Sequence, residues 1–142
     1  MGRLMAIDFG RKRCGIAVTD PMRIVANGLD TVPTATLCDF VRAYAAREPL
    51  DGIVVGEPRD MRDRPSESQR YLVPAIQRLR KAVPDIPVTM FDERFTSVLA
   101  HRAMLDGGLG RQDRRDKALV DKISAAIILN DYLQSLQYNS NQ

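Results

Sequence analysis

"MAIDFGRKRCGIAVTD", residues 5–20, is an apolar run, a short basic turn and a second apolar run, the pattern of a β-hairpin. Its first run carries a carboxylate, Asp8, followed closely by Gly10 and the consecutive cations Arg11, Lys12 and Arg13. A lone acid in the core of a sheet is costly. Either Asp8 sits harmlessly at the strand end, or something positive, such as a metal ion, meets it there.

A chain of 142 residues suits one domain with its own core. We expect a single domain over residues 1–138 and a polar tail over 139–142. No repeat, linker or low-complexity tract interrupts it. No apolar run approaches the ~20 residues that span a bilayer, and no signal-peptide pattern opens the chain, so a cytoplasmic location without membrane contact is the default expectation. Cys14 and Cys38 lack metal-ligand spacing and read as reduced packing residues. The formal net charge is only +3, yet the cations cluster: Arg11 to Arg13, then Arg59, Arg62 and Arg64, then Arg111, Arg114, Arg115 and Lys117. Each cluster fits a solvated loop tip, and together they fit loops that draw in a polyanion.

"IVANGLDTV" (24–32) adds a third strand, and "TATLCDFVRAYAAREP" (34–49) spaces Leu37, Val41 and Tyr44 for one face of a helix. "DGIVVGEP" (51–58) is a short continuous apolar run, as in a strand covered on both sides. The polar stretch 57–69 reads as an exposed loop that leads, through a Ser66 or Ser68 cap, to a helix carrying Leu72, Ile76, Leu79 and Val83, with Pro74 early in it. "IPVTMFDER" (86–94) is a fifth strand, 96–108 a short helix capped by Thr96, and the last helix runs from about Asp116 to Leu136. Hairpin strands followed by alternating helix and strand predict an α/β layered domain with a five-stranded mixed sheet flanked by helices.

The acids fall where such sheets place their sites. Asp8, Glu57, Asp92 and Glu93 all lie at carboxyl ends of strands. Asp121 precedes Ala125, Ile128 and Tyr132 on one helical stripe, which puts its carboxylate on the sheet-facing side near the helix start. There it also complements the helix dipole. Several acids meeting at one edge repel unless cations intervene, so the pattern predicts a site for a hard divalent ion. His101, the single histidine, has no partner constellation, and Thr19 and Ser97 lack a nucleophile's neighbours.

Four motifs in order resemble one family. "DFGRKRCGIAVTDP" (8–21) resembles the D-x-G-x-K-R-x-G-x-A-x-S-D-P opening of the YqgF/RuvX family, "VVGEP" (54–58) its V-V-G-x-P strand, "FDERFTS" (91–97) its D-E-R-x-[ST]-[ST] motif, and "VDKISAAIIL" (120–129) its V-D-K-x-A-A-x-x-I-L helix. The resemblance implies a ribonuclease H-like fold and nuclease activity, on the precursor of 16S ribosomal RNA or, by the family's older assignment, on Holliday junctions. Carried across motif by motif, it makes Asp8, Glu93 and Asp121 the catalytic acids and the ligands of magnesium or manganese. Lys12, Arg13, Arg94 and Lys122 become candidates for contacting nucleic acid or for holding those acids, and Arg114, Arg115 and Lys117 of the basic loop join them on the nucleic-acid side. In the fold's sheet order the fourth strand lies between the first and fifth, which puts the backbones of Asp8 and Glu93 roughly 10 Å apart, within reach of two ions. The loop after the fourth strand departs from the family pattern: Glu57 replaces an apolar residue, Asp60 an Asn, and residues 62–65 lack the usual Gly. Glu57 is thereby an auxiliary-ligand candidate.

The leading expectation is a divalent-metal endonuclease on structured RNA, with ribosomal particles as a partner. Junction resolution on branched DNA is the alternative and calls for a symmetric dimer. An actin-like phosphate-binding unit needs a second lobe that this length does not supply. A non-catalytic nucleic-acid-binding module fits the basic loops but not the retention of three motif acids.

Overall fold

The computed structural model of the chain describes residues 2–57, 69–92 and 117–140. Five strands, β1 (Arg3–Phe9), β2 (Arg13–Thr19), β3 (Ala26–Pro33), β4 (Leu50–Glu57) and β5 (Val88–Asp92), form one sheet in the order β3-β2-β1-β4-β5. The first three are antiparallel neighbours, whereas β4 runs parallel to β1 and β5 parallel to β4. The expected mixed sheet is present, with β4 between β1 and β5. A 3-10 turn (Thr34–Thr36) leads into α1 (Leu37–Arg47), and α2 (Gln69–Ala82) and α3 (Lys117–Ser140) complete the described helices.

Alternation along β1 sorts its side chains onto two faces. Met5 and Ile7 join Ile16, Ile53 and Val55 from the sheet, Leu37 and Val41 from α1, and Leu72, Ile76 and Leu79 from α2 in the larger core. Leu4 and Ala6 turn the other way, with Ala17 and Val54, onto Ala125, Ile128, Leu129 and Leu133 of α3. Each fully buried Leu or Ile contributes about 1.5–3 kcal/mol, so both helical layers are fixed to the sheet by their apolar stripes. Where α3 crosses the sheet the facing residues are small. A Cβ added to Gly15 would fall on the carbonyl oxygen of Asp121, so the backbone of α3 rests directly on β2 there.

Local chemistry moves several expected boundaries. β3 starts at Ala26, not Ile24, because the Asp20 carboxylate accepts the N–H groups of Met22, Ile24 and Val25 at 3.1, 2.8 and 2.8 Å and draws them into a loop. Arg23 adopts a left-handed conformation in that loop (φ 57°) and pairs with Asp51, which also accepts the Gly2 N–H at 2.8 Å. Pro74 stands inside α2, in its second turn, where its missing donor removes only one bond near the helix start. α3 continues to Ser140, past Leu136 and into the expected tail, because residues 134–140 contain neither Gly nor Pro. Cys14 is buried, Cys38 half-buried, and both are free thiols. The Thr19 hydroxyl accepts the Leu4 N–H at 3.0 Å, a structural bond. The expected helix at 96–108, the caps Ser66 and Ser68, and His101 lie outside the described residues. Among the described residues no helix is long and apolar enough to cross a membrane.

Two outcomes follow for stability. Gly15→Ala should destabilise the fold by about 1–3 kcal/mol, the cost of overpacking a filled contact, read as a lower urea midpoint with an unchanged slope. The Val25 amide foremost, with the amides of Ile24 and Met22, holds the Asp20 carboxyl below the usual range, and the Gly2 amide then Arg23 do so for Asp51. Lowered folded values mean stability that is present above the unfolded value near ~4 and lost as pH falls through the folded one. Thermal melts of the wild type and the Asp20→Asn, Asp51→Asn double variant should therefore differ most at about pH 6, and the difference should shrink as pH falls below about 4.

Candidate catalytic site

Asp8 is 5% exposed, next to last in β1, and shares the parity of Leu4 and Ala6, so it faces α3. Its cross-strand partner is Gly15. Because α3 lies on Gly15 at Asp121, the row containing Asp8 ends beneath the start of that helix. Arg13, which opens β2, donates its Nε to Asp121 Oδ2 at 3.0 Å. Asp121 occupies the stripe expected for it: Ala125 and Ile128 are fully buried, and Tyr132 meets Phe91 of β5 edge-on with ring centroids 5.5 Å apart. Burial pushes the Cys14 thiol up, and the nearby charges of Asp8 and Asp121 add to that.

The cations of the hairpin turn are distributed around these acids. Arg11 stacks over the Tyr71 ring of α2 at 4.6 Å, Arg13 pairs with Asp121, and Lys12 is exposed. Lys122 lays its aliphatic stem over Gly28 of β3. Glu93, Arg94, Arg114 and Arg115 lie outside the described residues, as does the side chain of Lys117, the first residue of α3. Asp92, immediately before Glu93, is the last residue of β5.

Glu57 does not join Asp8. In the parallel β1–β4 register Ile7 pairs with Val55, so Glu57 follows the Val55 side of the strand, and it lines a cavity with Leu72, Ile76 and Arg80 of α2. A one-residue difference in parity puts the two carboxylates on opposite faces of the sheet. Asp92, the register partner of Glu57, shares that α2 side with Met90. The auxiliary-ligand expectation for Glu57 is therefore corrected.

Asp8 and Asp121 present hard oxygen donors toward one interface, the chemistry that magnesium or manganese requires. Ser124, one turn beyond Asp121, buries its hydroxyl without a hydrogen-bond partner among the described residues, leaving a further polar atom on the same helix. Among the described residues no three His, Cys, Asp or Glu side chains gather to hold a metal, so a three-acid set needs a residue from outside them. Sequence reading missed two contributors: Gly15, whose signal was a glycine inside a strand, and Tyr71, which carried none.

A profile of the RuvX family, described as Holliday junction resolvase, matches residues 2–135. A Phocaeicola vulgatus protein named "Putative pre-16S rRNA nuclease" is 58% identical over 138 residues, which cover 97% of this chain and 99% of that one. A Porphyromonas gingivalis protein of the same name is 55% identical over 135 residues, covering 95% and 98%. Among solved structures, "T. thermophilus RuvC in complex with Holliday junction substrate" superposes with a TM-score of 0.60 at 19% identity, covering 95% of this chain and 96% of that one. The likeness establishes the ribonuclease H-like fold.

The Arg13–Asp121 pair, with side chains 40% and 27% exposed, is only partly screened by solvent. A double-mutant cycle of Arg13→Gln and Asp121→Asn, read by urea denaturation in chelator, should give a coupling of about 0.5–1 kcal/mol.

Proposed function

This chain belongs to the RuvX family, and from that membership we propose that it is a nuclease hydrolysing phosphodiester bonds in structured nucleic acid, with pre-16S ribosomal RNA as its substrate. The observation that carries the reading is the convergence of Asp8 and Asp121, from the first strand and the last helix, over the Gly15 row. Asp8, Asp121 and Glu93 would hold magnesium or manganese, in a pair of ions. Such ions supply Lewis-acid stabilisation of charge at the phosphorus and an activated water.

The chain's own residues do the rest. Burial of Asp8 in the strand fixes the direction of its carboxylate, and Arg13 fixes that of Asp121. Lys12, exposed on the adjoining turn, attracts the phosphate backbone, and Lys122, next to Asp121, extends the positive edge. Backbone contacts of this kind are independent of base sequence. Ribosomal particles as partner and a cytoplasmic location belong to the same proposal. The family description favours one alternative, resolution of four-way DNA junctions.

Cleavage of labelled pre-16S rRNA and of a synthetic four-way junction, with manganese or with chelator, tests both. Asp8→Asn and Asp121→Asn should each lower cleavage by at least about 100-fold, the upper range for losing even a supporting partner at a metal site. Chelator should abolish cutting of the RNA by the wild type. Cutting of the junction alone would transfer the reading to DNA, and full activity of Asp8→Asn would end it.

A further inference from the structure

The basic turn between β1 and β2 is gripped by a residue from β3's far end. Thr34, the first residue of the 3-10 turn, donates its hydroxyl to the Gly10 carbonyl at 2.6 Å and its backbone N–H to the Lys12 carbonyl at 3.0 Å. The same hydroxyl lies 3.4 Å from the Cys14 sulfur. One side chain and its amide thus hold both arms of the turn. The turn is also tight, since a Cβ on Gly10 would collide with the Arg13 carbonyl.

Of its three cations, two are engaged within the protein. Arg11 lies on Tyr71, and Arg13 on Asp121. Lys12 is exposed, and among the described residues its side chain has no partner in a hydrogen bond or ion pair. The Thr34 bond to the Lys12 carbonyl fixes the backbone that this one uncommitted cation projects from.

We infer that Thr34 is a positioning residue for nucleic acid: by holding the carbonyls of Gly10 and Lys12 it presents Lys12 as the phosphate-contacting cation of the turn. The inference rests on the nuclease reading above. It assigns no chemistry to Thr34 itself, whose hydroxyl is used up on Gly10. Thr34→Val keeps the shape and the backbone N–H while deleting the hydroxyl donor, and Thr34→Ser restores that donor.

The test is the salt dependence of binding to a labelled pre-16S rRNA leader fragment, measured in chelator for the wild type, Lys12→Ala, Thr34→Val, Thr34→Ser and the Thr34→Val, Lys12→Ala double variant. Lys12→Ala should reduce the slope of log K against log salt by about one, the loss of one phosphate contact. Thr34→Val, which keeps the amide bond to Lys12 and loses only the hydroxyl bond to Gly10, should reproduce part of that change. Thr34→Ser should stay within about twofold of the wild type, and the double variant should bind no more weakly than Lys12→Ala, as expected for residues acting through one contact. In turnover with manganese, Thr34→Val should raise KM while kcat holds. An unchanged slope for Thr34→Val, or additive losses in the double variant, overturns the inference even if melting temperature falls. An unchanged slope for Lys12→Ala overturns it while leaving the nuclease reading intact. Failure of the wild type to bind or cut any nucleic acid overturns both.

Discussion

The close seat of α3 on β2 governs the rest of the structure. At Gly15 no side chain separates helix from strand, and Ala6 and Ala17 keep the neighbouring contacts shallow. That seat sets the depth of Asp121 relative to Asp8, because both are referred to the same sheet row. It also lets Arg13 reach its carboxylate from the next strand position but one. A larger residue at 15 would lift the helix and carry one acid away from the other. Packing here sets the geometry of the acid pair.

The electrostatics oppose the folding energetics. Burying Asp8 and half-burying Asp121 against the sheet brings like charges together in a poorly hydrated place, which on its own destabilises the fold. The hairpin turn answers with cations from an adjacent segment, and the fold spends one of them, Arg13, on keeping Asp121 in position. Arg11 is turned away onto an aromatic ring. Sites that assemble charge for function commonly cost stability, and the large apolar core on the α1 and α2 side supplies the surplus.

Much of this was legible in the residues. The alternation of Leu4, Ala6 and Asp8 against Met5 and Ile7 places Asp8 on a definite face, and the stripe from Asp121 through Ile128 does the same for the helix. The position of Glu57 was not legible. Its parity within β4 is plain, but its face relative to Asp8 depends on how β4 aligns with β1, and that register is set by the packing of residues far apart in the chain. The start of β3 was misplaced for a local reason, since one carboxylate, Asp20, captures amides that otherwise read as strand. Thr34 gave no signal, because its meaning lies in two carbonyls more than twenty residues away in sequence.

The pairing of Arg13 with Asp121 joins positions 108 residues apart. During synthesis the hairpin, the sheet edge and the basic turn emerge long before the helix that completes the acid pair. Contacts of such separation form late. A nascent or prematurely terminated chain therefore carries the basic turn without the helix that brings Asp121 to Arg13, and the acid pair exists only after α3 has been made.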